Sequence, residues 1–180
     1  MSAKRTRNTY VQSMITVAMC TGIIVISSWL TIPFTVNFTL QTLAIFIISA
    51  LFGIKKSIVS LTVYVIIGAC GLPVFSGLGA GPSVLFGPTG GYLLGFFFIP
   101  ITIHLFGNRS RIALAFSMLA GLILCYTFGT LWYIALYGIS ASEGVIGILA
   151  VCVFPFIIPD AIKVFIATII VSRLSALIIN

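Results

Sequence analysis

The chain has 180 residues, of which 61% are hydrophobic and 6% charged, whereas a soluble domain is about half apolar and a quarter charged. Such a chain cannot cover itself with polar surface, which excludes a water-soluble globule and makes a bilayer its solvent. The formal net charge of +7 does not signal nucleic acid, because the basic residues fall in the breaks between apolar runs and form no aromatic-interleaved patch.

The first apolar run, Val11 to Ile32, continues past the length of a signal-peptide h-region with no small-x-small cleavage site, so it is expected to remain as a first helix. Within it, Ala18 and Gly22 have the small-xxx-small spacing that lets another helix come close, from the same bundle or from another subunit. Asn37, Thr39 and Gln41 precede or open the second run, Leu40 to Ile54. Their amide and hydroxyl groups either hydrogen-bond a neutral polar solute or cap the helix, with Thr39 at the N-cap. Lys55 and Lys56 separate this run from the third, Ser57 to Gly71.

The segment 72–86 that follows is uncharged and full of glycine and proline; a linker is usually more polar, so it is expected to be a lid over a site. Gly87-Pro88-Thr89-Gly90-Gly91-Tyr92 opens the fourth run, Gly91 to Phe106, with Pro88 where a first helical position should be. The free N–H groups of a helix start can receive an acceptor or an anion, yet Gly87, Gly91 and Gly95 recur every fourth residue as in a close helix seam. Both readings stay open here. No GxxxxGK[ST] nucleotide loop occurs. His104 lies near the far end of this run without a Ser, Cys or carboxylate beside it and is expected to be interfacial.

The fifth run is Ile112 to Ile134. Trp29, Trp132, Tyr133 and Tyr137 are expected at the outer interface as aromatic anchors, with Trp132 also able to wall a pocket. Residues 144–158 are apolar but interrupted by Gly147 and Pro155, so they read as an outer-face helix or re-entrant piece rather than a seventh crossing. The sixth run is Phe156 to Ile179. The second and fourth runs, at roughly 15 and 16 residues, are short for a span, and their outer ends are expected to unravel into loops that line a cavity.

Charge sets the expected orientation. Lys4, Arg5 and Arg7, then Lys55 and Lys56, then Arg109 and Arg111, then Arg173 all fall at one side of six crossings, while the other side has only Glu143. The positive-inside bias makes both termini cytoplasmic. The four cysteines, Cys20, Cys70, Cys125 and Cys152, lie singly in apolar stretches, which speaks for small buried hydrophobes and against a disulfide or metal.

Only two acidic side chains exist. Asp160 and Lys163 are three residues apart near the outer end of the last run, so a helix puts them on one face. An ionisable residue at membrane depth is a functional hypothesis by default. A mutual salt bridge that merely staples the bundle is the plainer reading, but a buried pair seldom repays its desolvation, so a polar ligand pocket is favoured.

Phe38-Thr39-Leu40-Gln41-Thr42-Leu43, Gly71-Leu72-Pro73-Val74-Phe75, Gly87 to Phe96 and Asp160-x-x-Lys163, in that order, resemble the BioY family, the biotin-specific S components of energy-coupling factor transporters. The resemblance runs over essentially the whole chain. It implies an all-α integral membrane protein: one six-helix domain over residues 1–180, in a bacterial cell membrane, that captures biotin from outside. It also implies a T component and two ATPase subunits as partners, with ATP used by them, no cofactor on this chain and no enzymatic turnover.

The expected biotin site lies between the fourth and sixth helices under residues 72–86. It comprises Asp160 and Lys163, the polar Gln41 and Thr39, the turn Thr89, Gly90 and Gly91, and the aromatic Phe75, Tyr92 and Trp132. Ala18-x-x-x-Gly22 looks like the family's AxxxA docking motif for the T component. Family members usually carry prolines where Thr35 and Asn37 stand, and Pro-Gly where Ile158 and Pro159 stand. A small intramembrane enzyme and a purely structural subunit are the rival readings, the first weakened by the lack of a second carboxylate or a positioned histidine.

Overall fold

A computed structural model describes residues 2–32, 38–107, 110–138 and 144–179. The expectations at Pro33, Thr35, Asn37, Arg109 and Glu143 lie outside the described residues. Helix α1 spans Ser2–Trp29, and a two-residue ladder of β1 (Thr31–Ile32) and β2 (Phe38–Thr39) follows, antiparallel with Thr31 opposite Thr39. Then come α2 (Gln41–Ala69), α3 (Pro82–Leu85), α4 (Gly90–Gly95), α5 (Phe98–Phe106), α6 (Arg111–Tyr137), α7 (Gly144–Cys152) and α8 (Phe154–Ile179). Among the described residues, four helical stretches are long and apolar enough to cross a membrane: Tyr10–Trp29, Gln41–Ala69, Arg111–Tyr137 and Phe154–Ser175.

Helix α2 is not one straight rod. Gly53 has φ 76° and ψ 170°, a backbone that residues with a Cβ avoid. The Ser57 hydroxyl reaches both Gly53 O (2.8 Å) and Ile48 O (3.4 Å), whereas nine residues of straight helix would put Ser57 about 13 Å beyond Ile48. The chain therefore doubles back at Gly53, just before Lys55 and Lys56, and residues 41–52 and 54–69 form a hairpin. The break expected from the lysines is real, but glycine makes it.

The stretch from Gly90 to Phe106 is broken as well, between Phe96 and Phe97. Pro100 is the cause, since it lacks the N–H that would bond Phe96 O and its ring crowds that carbonyl. The backbone tightens there into Phe97 N–H to Leu94 O and Ile99 N–H to Phe96 O. Helix α4 starts at Gly90 rather than at Pro88, which stands ahead of its N-cap, Thr89.

Glycines on α4 set the distance to α6. A Cβ at Gly91 would lie 2.3 Å from Trp132 Cβ, and one at Gly95 2.9 Å from Cys125 Sγ, so the packing reading of this glycine series is the one the geometry fits. Helix α7, nine residues long, rises about 13 Å, less than half the hydrocarbon thickness. It packs against α8 and α6.

The segment expected as a lid is tied down at several points. Ser28 Oγ donates to Val74 O (2.6 Å), Trp29 Nε1 donates to Pro73 O (2.8 Å), and Gly81 N–H donates to Gly68 O (2.8 Å). These bonds push Phe75 into the core, where it is 1% exposed and meets Tyr64 edge-on at 5.5 Å. Ala18 faces outward, and nothing lies within 4 Å of where a Gly22 Cβ would sit. Among the described residues, none packs against Gly22 on that face. Cys20, Cys70 and Cys125 are free thiols.

Candidate ligand-binding site

Asp160 and Lys163 lie on α8 at spacing three, just after Pro159, and are 3% and 5% exposed. Lys163 Nζ donates to Asp160 Oδ1 at 2.6 Å, to Thr42 Oγ1 at 3.0 Å and to Thr39 O at 2.7 Å. It also stands 4.0 Å from the centre of the Phe38 ring. All three ammonium protons are therefore engaged. Asp160 Oδ1 also accepts the Thr42 hydroxyl proton (3.1 Å), and Oδ2 accepts that of Tyr126. A buried ion couple survives only if its remaining lone pairs and protons find partners, and here α2, β2 and α6 supply them.

Each carboxylate oxygen offers about two lone-pair positions. Those of Oδ1 are filled by Lys163 and Thr42, while Oδ2 keeps one open. Asp160 and Lys163 line a cavity of about 80 Å³ together with Thr39, Thr42, Tyr92, Tyr126 and Phe156. A second cavity of about 120 Å³ is lined by Thr39, Gln41, Phe75, Ser76, Thr89 and Tyr92. Thr39, Tyr92 and Phe96 stand on the wall of both, so the two cavities adjoin across these side chains. The segment 72–86 contributes Phe75, Ser76 and Val84 to this wall.

The second cavity is unsatisfied in a way the first is not. On its wall, Gln41 Nε2 and Ser76 Oγ are buried and have no hydrogen-bond partner. A buried donor left unpaired costs about 1–3 kcal/mol, and donors on a cavity wall recover this when a ligand acceptor meets them.

The expected site residues divide. Asp160, Lys163, Thr39, Gln41, Phe75, Thr89 and Tyr92 line one or both cavities. Gly90, Gly91 and Trp132 do not. Gly90 is pressed against the Leu85 carbonyl and Gly91 against Trp132, and Trp132 Nε1 donates to Gly87 O at 3.2 Å, so this tryptophan anchors the turn ahead of α4. Nor is Thr39 the N-cap: that position is Leu40, although the Thr39 hydroxyl accepts the Gln41 N–H at 3.3 Å.

Thr42, Tyr126, Ser76 and Phe156 complete the walls without having been singled out from sequence. Tyr126 had a signal: a phenol inside an apolar run, one turn before Thr130, whose hydroxyl lies 3.4 Å from that of Tyr92. Thr42 had none beyond its place in the Thr39-to-Leu43 segment.

Comparison with known proteins bears on this geometry. The BioY family model matches residues 1–180. A "Biotin transporter BioY" of Thermotoga maritima is 33% identical over 172 residues, covering 92% of this chain and 97% of that protein. A "Probable biotin transporter BioY" of Pyrococcus horikoshii is 34% identical over 140 residues, covering 77% and 80%. The 2.1 Å crystal structure of the S-component for biotin from an ECF-type ABC transporter superposes with a TM-score of 0.81 at 26% identity, covering 94% of this chain and 93% of the other. The chain belongs to the BioY family.

Proposed function

We infer that this chain is the biotin-capturing S component of an ATP-driven ECF-type uptake system in a bacterial cell membrane. The observation that carries the reading is a buried ion couple on the wall of a cavity, with its ammonium protons engaged and one acceptor position left on Asp160 Oδ2, beside a second cavity with unpaired buried donors. Biotin matches that pattern in chemistry. Its ureido ring brings N–H groups for an anionic acceptor and a carbonyl for a neutral donor, its thiophane ring and chain are apolar, and its carboxylate needs donors of its own.

In this reading an N–H of the ureido group donates to Asp160 Oδ2, and Gln41 Nε2 and Ser76 Oγ donate to ligand oxygens. Phe75, Tyr92 and Phe156 pack the apolar parts. Lys163, whose protons are engaged, fixes the place of the Asp160 carboxyl group and of β2, and it meets a ligand oxygen only by giving up Thr39 O or Thr42. The segment 72–86 roofs the site as a lid.

Counting the two arms of the α2 hairpin separately and residues 90–106 as one rod gives six crossings. With the cations Lys55, Lys56, Arg111 and Arg173 on one side, both termini are cytoplasmic. Ala18 and Gly22, open on the outer surface of α1, would dock a T component, which in turn couples two ATPase subunits that spend the ATP. The relatives are named as transporters, which sets the enzyme reading aside.

Calorimetric titration of the detergent-purified protein with biotin tests this. Asp160→Asn and Gln41→Leu should each weaken binding by about tenfold or more, the worth of one hydrogen bond to a buried partner. Wild-type affinity in both variants would sink the site.

A further inference from the structure

At the end of the bundle opposite the ion couple lies a third cavity, of about 390 Å³, bounded by the Gly53 turn, the end of α5, the start of α6 and the last turns of α8. Its wall carries Ser49, His104, Ser110, Arg111 and Ser175. Three observations converge on what it takes. Ser49 is 4% exposed and its hydroxyl is buried without a hydrogen-bond partner, although a serine in mid-helix ordinarily bonds a carbonyl one turn back.

The N-terminus of α6, a helix of 27 residues, opens on the same cavity. Ser110 Oγ accepts the Ala113 N–H at 3.1 Å and so keeps its own proton to donate, while the N–H groups of Arg111 and Ile112 have no acceptor inside the helix. Arg111 adds a guanidinium to that positive end. The wall thus presents hydroxyl donors, free backbone N–H groups, an imidazole and a guanidinium. Asp160, the acid among the described residues, is at the opposite end, bound to Lys163.

We propose that this cavity binds the phosphate of an anionic phospholipid headgroup from the leaflet at the basic end of the bundle. A phosphodiester is what such a donor set matches: oxygens for the hydroxyls and N–H groups, a charge for Arg111. A lipid rather than a soluble anion is the occupant because exposed apolar side chains stand next in sequence to lining residues: Leu105 follows His104, Phe106 precedes Gly107 and Ile112 follows Arg111. They are 64%, 61% and 70% exposed, so a phosphate held here would have its own hydrocarbon close to those side chains. Lys55, Lys56 and Arg173 at the same end attract the anionic surface of a cytoplasmic leaflet but do not line the cavity.

The test uses the full chain in nanodiscs of phosphatidylcholine alone and of an equimolar mixture with phosphatidylglycerol. Native mass spectrometry then reads the lipid retained. The wild type should keep phosphatidylglycerol over phosphatidylcholine, and Arg111→Gln should lose about fivefold of that preference while binding biotin as the wild type does. Ser49→Ala separates a ligand contact from a fold contact. In phosphatidylcholine it should be at least as stable as the wild type, because an unpaired buried hydroxyl has gone, but phosphatidylglycerol should stabilise it less. Equal retention of the two lipids by the wild type would overturn the proposal. So would loss of the preference in Lys55→Gln with Lys56→Gln but not in Arg111→Gln, which would mean diffuse surface charge. Displacement of the lipid by inorganic phosphate would overturn it in favour of a soluble anion.

Discussion

The two ends of the bundle treat charge in opposite ways. Around Asp160 and Lys163 the ions are buried and nearly every hydrogen-bonding position is taken by Thr39, Thr42 and Tyr126. At the other end Arg111 is exposed, Lys55 faces solvent or headgroups, and a buried serine hydroxyl goes unpaired. The difference follows from desolvation: a charge taken out of water must be matched inside the protein, whereas a charge at the interface keeps its solvent and contributes little to stability.

The largest effect that sharpens this contrast comes from removing one partner of the buried couple. Asp160→Ala strands Lys163 and should cost about 3–5 kcal/mol of stability, read from SDS-driven unfolding in mixed micelles. The double change Asp160→Leu with Lys163→Met should recover most of that loss while leaving biotin binding absent. Stability that stays low in the double variant would mean the couple is needed for folding itself. Tyr126→Phe comes next: it frees Oδ2 of a donor and should cost about 1–3 kcal/mol by the same assay, with no change in expression topology. Smallest is Lys55→Gln with Lys56→Gln, expected within about 0.5 kcal/mol of the wild type. A loss as large as that of Tyr126→Phe would erase the distinction between the two ends.

What the sequence disclosed follows the same division between near and distant partners. Spacing three on one helix placed Asp160 beside Lys163, and the cations at 55 and 56 marked a break in the second apolar stretch. Bonds that join residues far apart in the chain had no such signature: Thr42 meets Asp160 across 118 positions and Tyr126 meets it across 34. The interruption at Phe96 and Phe97 was in principle readable from Pro100, whose effect falls four residues upstream. Trp132, expected at the outer interface and able to wall a pocket, lines neither of the two cavities; which groups its indole meets depends on how closely α4 approaches α6, and Gly91 sets that distance.

The tethering of Lys163 on three sides has a kinetic and entropic corollary. A long flexible amine fixed in one rotamer gave up its freedom when the chain folded, so an arriving solute does not have to immobilise it, a saving of about 0.5–1.5 kcal/mol per side chain. If Asp160 is the acceptor as proposed, it is in place before a solute arrives, and tight capture is then governed by how slowly the solute escapes rather than by how often it finds the pocket ordered.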